Sequence, residues 1–157
     1  MDVTLMVKLF PFFLEAAWIT VILSVLSVAL GLFCGALGTY AKLSDVTLIR
    51  AIGNTYVSVF RGTPALVQLF ILYLGGPQIG IQLDAFSAGA IGLGLNIGAY
   101  MTETMRGAIL AIDHGQSEAS RTLGIGRFQT MRYVILPQAA RLMVRPLGVN
   151  IIAQIKA

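Results

Sequence analysis

The chain has 157 residues, of which 57% are hydrophobic and 11% charged, and its mean hydropathy is +0.82. Soluble domains are about 25% charged, so this composition predicts a membrane protein. Disordered chains lack such apolar content, and the single cysteine, Cys34, excludes a disulfide scaffold. The net charge of +4 does not indicate a nucleic-acid partner, because the basic residues lie between apolar segments, where they fit membrane topology.

Three segments are predicted to cross the membrane, and a fourth is partial. The first, residues 16–41, has no charged residue and is long enough to cross a hydrocarbon core of ~30 Å. It is also too long for the core of a cleaved signal peptide. The second and third cover residues 51–76 and 85–112, whereas the uncharged part of residues 138–157 is too short for a complete crossing. The sequence therefore predicts an all-α, polytopic transmembrane helix bundle that forms a single domain, residues 1–157.

The distribution of Lys and Arg predicts the orientation. Lys42 and Arg50 follow the first segment, residues 77–84 contain no basic residue, and six arginines follow Glu103. Loops rich in Lys and Arg stay in the cytoplasm. We therefore expect a multi-pass protein with its N-terminus outside and the loop at residues 113–137 inside.

Small residues occur regularly in the first and third segments. Gly31 and Gly35 have the GxxxG spacing that lets two helices approach closely in lipid. Packing within one subunit is the favoured interpretation, and a specific dimer face is the alternative. Gly92 and Gly94 do not form a dinucleotide fingerprint, and no Walker sequence is present, so we expect this chain to bind no ATP itself.

Polar residues inside the apolar segments are candidates for a solute path. An ionisable group at bilayer depth costs about 2.5–3.5 kcal/mol on insertion scales and usually faces water or the interior of a bundle. Glu103 is such a group. It would either attract a cationic solute or, in the favoured interpretation, pair with Arg106 one turn later. Weaker candidates for the path are Tyr100, Asn96 and Gln68.

The sequence contains no constellation that is typical of catalysis or of a metal site. His114 has no second His, no Cys and no carboxylate cluster near it, so it is interpreted as a loop residue. Glu15 is interpreted as an interfacial anchor. We therefore assign no catalytic residue and no metal ligand.

The cytoplasmic loop, residues 113–137, is predicted to start with a short helix. Asp113 and Gln116 have the spacing of a capping box, although Asp replaces the usual Ser or Thr. The helix would run from Gln116 to Leu123 and stop at Gly124, because glycine readily adopts the left-handed conformation that ends a helix.

A second short helix is predicted over residues 127–136. It would place Phe128, Met131 and Ile135 on one apolar stripe, and Pro137 would end or bend it. A basic, amphipathic block of this kind can lie on anionic lipid or dock a partner protein. The residues alone leave both interpretations open.

The loop resembles the EAA loop of the permease subunits of ABC importers. That motif reads E-A-A, three residues, G, nine residues, I-x-L-P, and the spacing matches throughout. Val134 stands at the Ile position, and Ser is present in place of the second Ala. The residues that the resemblance assigns to contact with an ATPase are Gln116, Glu118, Ala119, Ser120, Gly124, Leu136 and Pro137.

Two upstream stretches resemble the polar-amino-acid permeases, which carry histidine, glutamine, glutamate, arginine or opines. Residues 98–108 contain Gly98-Ala99-Tyr100, Glu103 and Arg106-Gly107-Ala108 at the spacing of that subfamily. The other stretch is a structural motif formed by Phe60, Arg61, Gly62, Thr63 and Pro64.

The resemblance implies the fold of a type I ABC-importer permease, which has about five spans, against three and a partial fourth here. It implies a bacterial inner-membrane location and three protein partners: a cytoplasmic ATPase dimer, a second permease subunit and an extracytoplasmic solute-binding protein. ATP and Mg would be bound by the ATPase. Gly124 would form the turn between the two short helices of the loop, and Glu118 would bond to the ATPase at the surface where the loop docks. Whether the second permease is identical, and which amino acid is carried, is left open.

The resemblance also carries an alternative. Family members continue well past the position that matches Lys156, which suggests a chain truncated at its C-terminus. The alternative function is a non-transporting membrane protein that keeps only the ATPase-docking loop.

Overall fold

The computed structural model describes the backbone of residues 3–156 and the side chains of residues 9–156. Every regular element in that part of the chain is helical, which confirms the all-α prediction. Two π-helical turns, Ile71–Gly75 and Met131–Ile135, and one 3-10 turn, Gly76–Ile79, interrupt or extend the α-helices. The α-helices are α1 (Val3–Lys42), α2 (Thr47–Gly62), α3 (Ala65–Phe70), α4 (Ala85–Leu110), α5 (His114–Thr122), α6 (Arg127–Thr130) and α7 (Leu136–Lys156).

Helix α1 contains the first predicted span. Its stretch Leu9–Lys42 is long and apolar enough to cross a membrane by itself. Large apolar side chains such as Phe13, Trp18 and Phe33 are mostly exposed on its surface. In water such exposure would be unfavourable, so this surface suits contact with lipid.

The segment at residues 51–76, predicted as a span, is not one straight helix. Helix α2 and the helical stretch Ala65–Ile79 meet at an angle of 106°. Pro64 lacks a backbone N–H and forces the residue before it out of the α conformation. Thr63 accordingly has φ −120° and ψ 144°. We call this bend the elbow (residues 62–64). The helices on its two sides are long and apolar enough to cross a membrane only when they are taken together.

Helix α4 lies close to the predicted third segment and is largely buried. The Asp84 carboxylate caps its N-terminus by accepting bonds from the backbone N–H groups of Phe86 (3.0 Å) and Ser87 (3.2 Å). By hydropathy and length, α4 does not qualify as a span alone, and neither does α7.

Pro137 does not end the helix that precedes it. The backbone widens into the π turn directly before Leu136 and then continues as α7 through Pro137 and Pro146 to Lys156. In a regular α-helix the proline ring would meet the carbonyl of Tyr133, four residues earlier. The wider turn lies where that conflict would arise.

The main packing is between α1 and α4, which make the most extensive contact of any helix pair in residues 3–156. Gly31, Gly35 and Gly38 are buried on the α4-facing side of α1. A Cβ added to Gly35 would lie 2.8 Å from Met101 Cβ. The small residues thus permit close approach within one chain, as the favoured interpretation predicted.

Candidate functional site

Helix α5 ends in the glycine turn that the sequence predicted. Gly124 has φ +72°. Its N–H donates to the Arg121 carbonyl (3.0 Å), and the N–H of Ile125 donates to the Ser120 carbonyl (2.9 Å). These two bonds define a Schellman motif, which needs a residue with positive φ at the Gly124 position.

The predicted capping box is only half formed. The Asp113 carboxylate accepts the Gly115 N–H at 2.7 Å, so the start of α5 is capped. The Gln116 side chain does not return to Asp113. Its Oε1 instead accepts a bond from Gln138 Nε2 on α7, at 3.3 Å. Gln116 therefore links α5 to α7.

The residues assigned to ATPase contact divide into a surface group and one buried residue. Ser120 is 4% exposed, and its hydroxyl donates to the Gln116 carbonyl at 2.8 Å. The hydroxyl that replaces the family's methyl group is thus satisfied within α5. The exposed group consists of Gln116, Glu118, Ala119, Gly124, Leu136 and Pro137. We call residues 113–137, with α5, α6 and the turn between them, the coupling segment.

An ion pair joins the coupling segment to the turn between α1 and α2. Arg127 Nη1 lies 2.6 Å from Asp45 Oδ2, and both side chains are exposed. The hydrogen bond and the charge of Arg127 lower the pKa of Asp45. A carboxylate with a lowered pKa contributes its stabilisation above its ordinary pKa and loses it as the pH falls through the lowered value. Asp45 is therefore ionised at neutral pH and can pair with Arg127.

Glu103 is paired on both sides. Its Oε2 accepts bonds from Arg106 Nε (3.2 Å) and Nη2 (2.9 Å), as the favoured interpretation predicted. Its Oε1 also pairs with Lys42 at the end of α1. The carboxylate therefore fastens the inner end of α1 to α4.

Gln68 and Asn96 meet at the elbow and bind its carbonyl groups. Gln68 Nε2 donates to the carbonyls of Phe60 and Thr63, both at 3.0 Å. Asn96 Nδ2 donates to Phe60 O (3.0 Å) and to Gln68 Oε1 (3.1 Å). Carbonyls at the end of α2 have no partner within the helix, and these amides supply one. We call Gln68 and Asn96 the amide pair.

The structural motif at residues 60–64 surrounds the same elbow. Thr63 Oγ1 donates to the Val59 carbonyl (2.8 Å) and accepts from Gln68 (2.7 Å). The Arg61 guanidinium lies over the Tyr100 ring, 5.0 Å from its centroid, in a cation–π contact. The motif thus shapes the elbow and places it against α4.

A cavity of about 180 Å³ lies between α4 and α7. Asn96 and Tyr100 line it, so two of the four candidates for the solute path are brought together there, whereas Glu103 and Gln68 are not among its lining residues. Asn150 and Gln154 complete its polar lining and were not singled out as path residues. The signal that could have found them is an amide repeated every four residues in the apolar end of α7.

Comparisons with known proteins relate the chain to one family. Residues 27–157 match the model of the family described as binding-protein-dependent transport system inner membrane component. The chain is 40% identical to the probable amino-acid ABC transporter permease YckA of Bacillus subtilis, over 98% of this chain and 68% of that protein. It is 41% identical to the putative glutamine transport system permease GlnP of Rickettsia felis, over 87% of this chain and 64% of that protein. The chain thus spans about two-thirds of the length of these relatives.

Solved structures give the same relationship. The chain superposes on the crystal structure of an amino acid ABC transporter with a TM-score of 0.91 at 39% identity, covering 99% of this chain and 73% of that one. It also superposes on an inward-facing structure of the MetNI methionine ABC transporter with a TM-score of 0.77 at 20% identity. The second match indicates the fold alone.

Proposed function

Because the chain belongs to the family of binding-protein-dependent transport system inner membrane components, we propose that it forms the membrane path of a polar-amino-acid importer. The observation that carries the proposal is the superposition of 99% of this chain on an amino acid ABC transporter, with permeases for amino acids as relatives. The chain is a transporter subunit and not an enzyme, since ATP hydrolysis in this family belongs to a separate subunit.

The proposed complex has three kinds of partner. A dimer of cytoplasmic ATPases binds ATP and Mg, a second permease, identical or homologous, completes the membrane part, and an extracytoplasmic protein delivers the solute. The proposed location is a bacterial inner membrane, crossed several times, with the N-terminus outside. The distribution of Lys and Arg supports this orientation.

We assign the contact with the ATPase to the exposed residues of the coupling segment. Glu118 and Ala119 lie on α5, and Gly124 turns the chain toward α6. A turn held by a Schellman motif presents α5 as a rigid projection. Movement of the ATPases would pass through this projection to the helices and alternate the access of the path.

We place the solute path at the cavity between α4 and α7. Asn96 and Tyr100 supply polar groups on α4, and Asn150 and Gln154 supply amides on α7. Amide and hydroxyl groups suit the zwitterionic ends of an amino acid. We assign Gln68 and Glu103 to structure, because neither lines this cavity and their polar atoms bond to the elbow and to Lys42 and Arg106.

The assignment of the coupling segment is tested with Glu118→Lys, with the chain expressed beside its ATPase and solute-binding protein. We expect amino-acid uptake to fall about tenfold or more, because a lost charge-assisted bond costs about 1.5–3 kcal/mol. The measurement is uptake of labelled amino acid together with ATPase rate and the amount of chain in the membrane.

Glu15→Lys is the matched control, because Glu15 is an exposed carboxylate on α1, away from the coupling segment. It should keep uptake within about twofold, since exposed charges contribute little. Normal uptake by the Glu118→Lys variant would contradict the assignment.

A further inference from the structure

A second cavity, of about 300 Å³, lies behind the coupling segment. Its membrane side is formed by Ile109 and Leu110 at the inner end of α4. Its other side is formed by Arg121 on α5, Arg127 at the start of α6 and Thr130 at the end of α6. The cavity is thus set between the surface proposed for the ATPase and the predicted membrane interface.

Thr130 lines this cavity and has an unsatisfied hydroxyl. The side chain is 6% exposed, and its Oγ1 has no hydrogen-bond partner in the part of the chain that the structure describes. Buried polar atoms almost always have a partner. The Oγ1 atom itself has almost no accessible surface, so a ligand in the cavity bonds to this hydroxyl only after a rotation of the Thr130 side chain.

Two guanidinium groups give the cavity a preference for an anion. Arg121 has no carboxylate within 4.0 Å among the described side chains. Arg127 uses Nη1 for Asp45, so its other N–H groups are available. Because Asp45 offsets one of the two positive charges, the arrangement suits a single negative charge. Guanidinium groups bind phosphate oxygens through paired N–H donors.

The apolar side of the cavity indicates what carries that charge. Leu110 is 56% exposed at the end of α4, and Met131 on the π turn is 36% exposed. A free anion gains nothing from such a surface, whereas an acyl chain does. Anionic headgroups are concentrated at the cytoplasmic face of the membrane, where basic residues attract them.

We propose that this cavity binds an anionic phospholipid, with its phosphodiester at Arg121, Arg127 and Thr130 Oγ1 and its acyl chain against Leu110. The inference goes beyond amino-acid transport and does not depend on the ATPase contact. The coupling segment would thus have two faces, one exposed toward a protein partner and one closed over a lipid headgroup.

The test is native mass spectrometry of the full chain purified in a mild non-ionic detergent. The probes are phosphatidylglycerol, phosphatidylcholine with the same acyl chains, and inorganic phosphate. We expect binding of phosphatidylglycerol to exceed that of phosphatidylcholine about tenfold. Arg121→Gln should reduce it about tenfold and Thr130→Val about threefold, as expected for loss of one charged and one neutral hydrogen bond.

Arg141→Gln is the matched control, since Arg141 is an exposed arginine on α7 that does not line the cavity. It should leave phosphatidylglycerol binding within about twofold. Equal binding of the two lipids, or an equal loss in the control, would overturn the proposal. Displacement of phosphatidylglycerol by inorganic phosphate at a similar concentration would overturn the assignment to a lipid. Failure of the transport proposal would leave these results unchanged.

Discussion

Gly35 is one of the residues at which α1 and α4 approach each other closely. It is buried, and an added Cβ would lie 2.8 Å from Met101 Cβ and 3.4 Å from the Gly98 carbonyl oxygen. Both neighbours are close to the backbone, so neither can move away cheaply. The spacing of glycines predicted a close contact, but the identity of the opposing helix came only from the fold.

Gly35→Ala is expected to destabilise the chain by about 1–3 kcal/mol, the cost of overpacking a filled contact. For a protein of this size that corresponds to a fall in Tm of about 2–10 °C. The measurement is thermal unfolding in detergent. Gly107→Ala is the control, because nothing lies within 4 Å of its added Cβ and alanine favours a helix. Equal stability of the two variants would contradict close packing at Gly35.

Of the two ion pairs that Glu103 makes, only the one with Arg106 could be predicted from the sequence. Arg106 follows it by three residues on the same helix, so the pair could be predicted from spacing alone. Lys42 is 61 residues away along the chain and reaches Glu103 only because α1 and α4 pack together. Spacing along one helix is local information, whereas packing between helices depends on the whole chain.

Glu103→Gln is expected to reduce uptake of arginine and of glutamine by the same factor, because it removes a charge shared by Lys42 and Arg106. The accompanying loss of stability should be about 1–3 kcal/mol. The measurement is the ratio of arginine to glutamine uptake, with Tm alongside. A loss of arginine uptake larger than the loss of glutamine uptake would contradict the structural role and assign Glu103 to the solute path.

At the scale of elements, the bend at the elbow has a local cause, Pro64, and a tertiary one, the hydrogen bonds of the amide pair. Pro64 identifies the interruption, since it prevents α2 from continuing. The angle of 106° does not follow from proline. It is set with the help of the amide pair, in which a residue of α4 bonds to a carbonyl of α2. Pro64 could have marked the bend within the predicted span of residues 51–76, but no local pattern gives its size.

Gln68→Leu is expected to loosen the elbow, because it leaves the Thr63 carbonyl without the bond from Nε2. We expect a loss of about 1–3 kcal/mol and faster amide hydrogen exchange in residues 62–70. Gln78→Leu is the matched control, since Gln78 is exposed in the 3-10 turn. Unchanged exchange in residues 62–70 of the Gln68→Leu variant would contradict the structural role of the amide pair.

The helix boundaries differ in how far local residues determine them. The ends of α5 follow from Asp113 and Gly124, whose side-chain acceptor and positive φ act within a few residues. The π turn at Met131–Ile135 could not be predicted, because its apolar pattern over a few residues resembles that of an α-helix. The sequence predicts that Pro137, two residues after this turn, ends or bends the helix, whereas the helix continues through it.

At the scale of the whole molecule, the family was predictable and the cavities were not. The EAA spacing and the residues near Tyr100 occur in one order along the chain, and the family match over residues 27–157 confirms the relationship. Each cavity combines residues from elements far apart in sequence. Asn96 and Asn150 meet only because α7 packs on α4, which no motif specifies.

The passage from α6 through the π turn into α7 has a mechanical consequence. No extended residue interrupts the helical backbone of Arg127–Lys156, which passes through a π turn and two prolines. Near its far end Asn150 Nδ2 donates to Thr104 Oγ1 of α4 at 2.9 Å. Under the proposed function, a push on the α6 end of this helix would reach α4 through that bond, beside the proposed solute cavity.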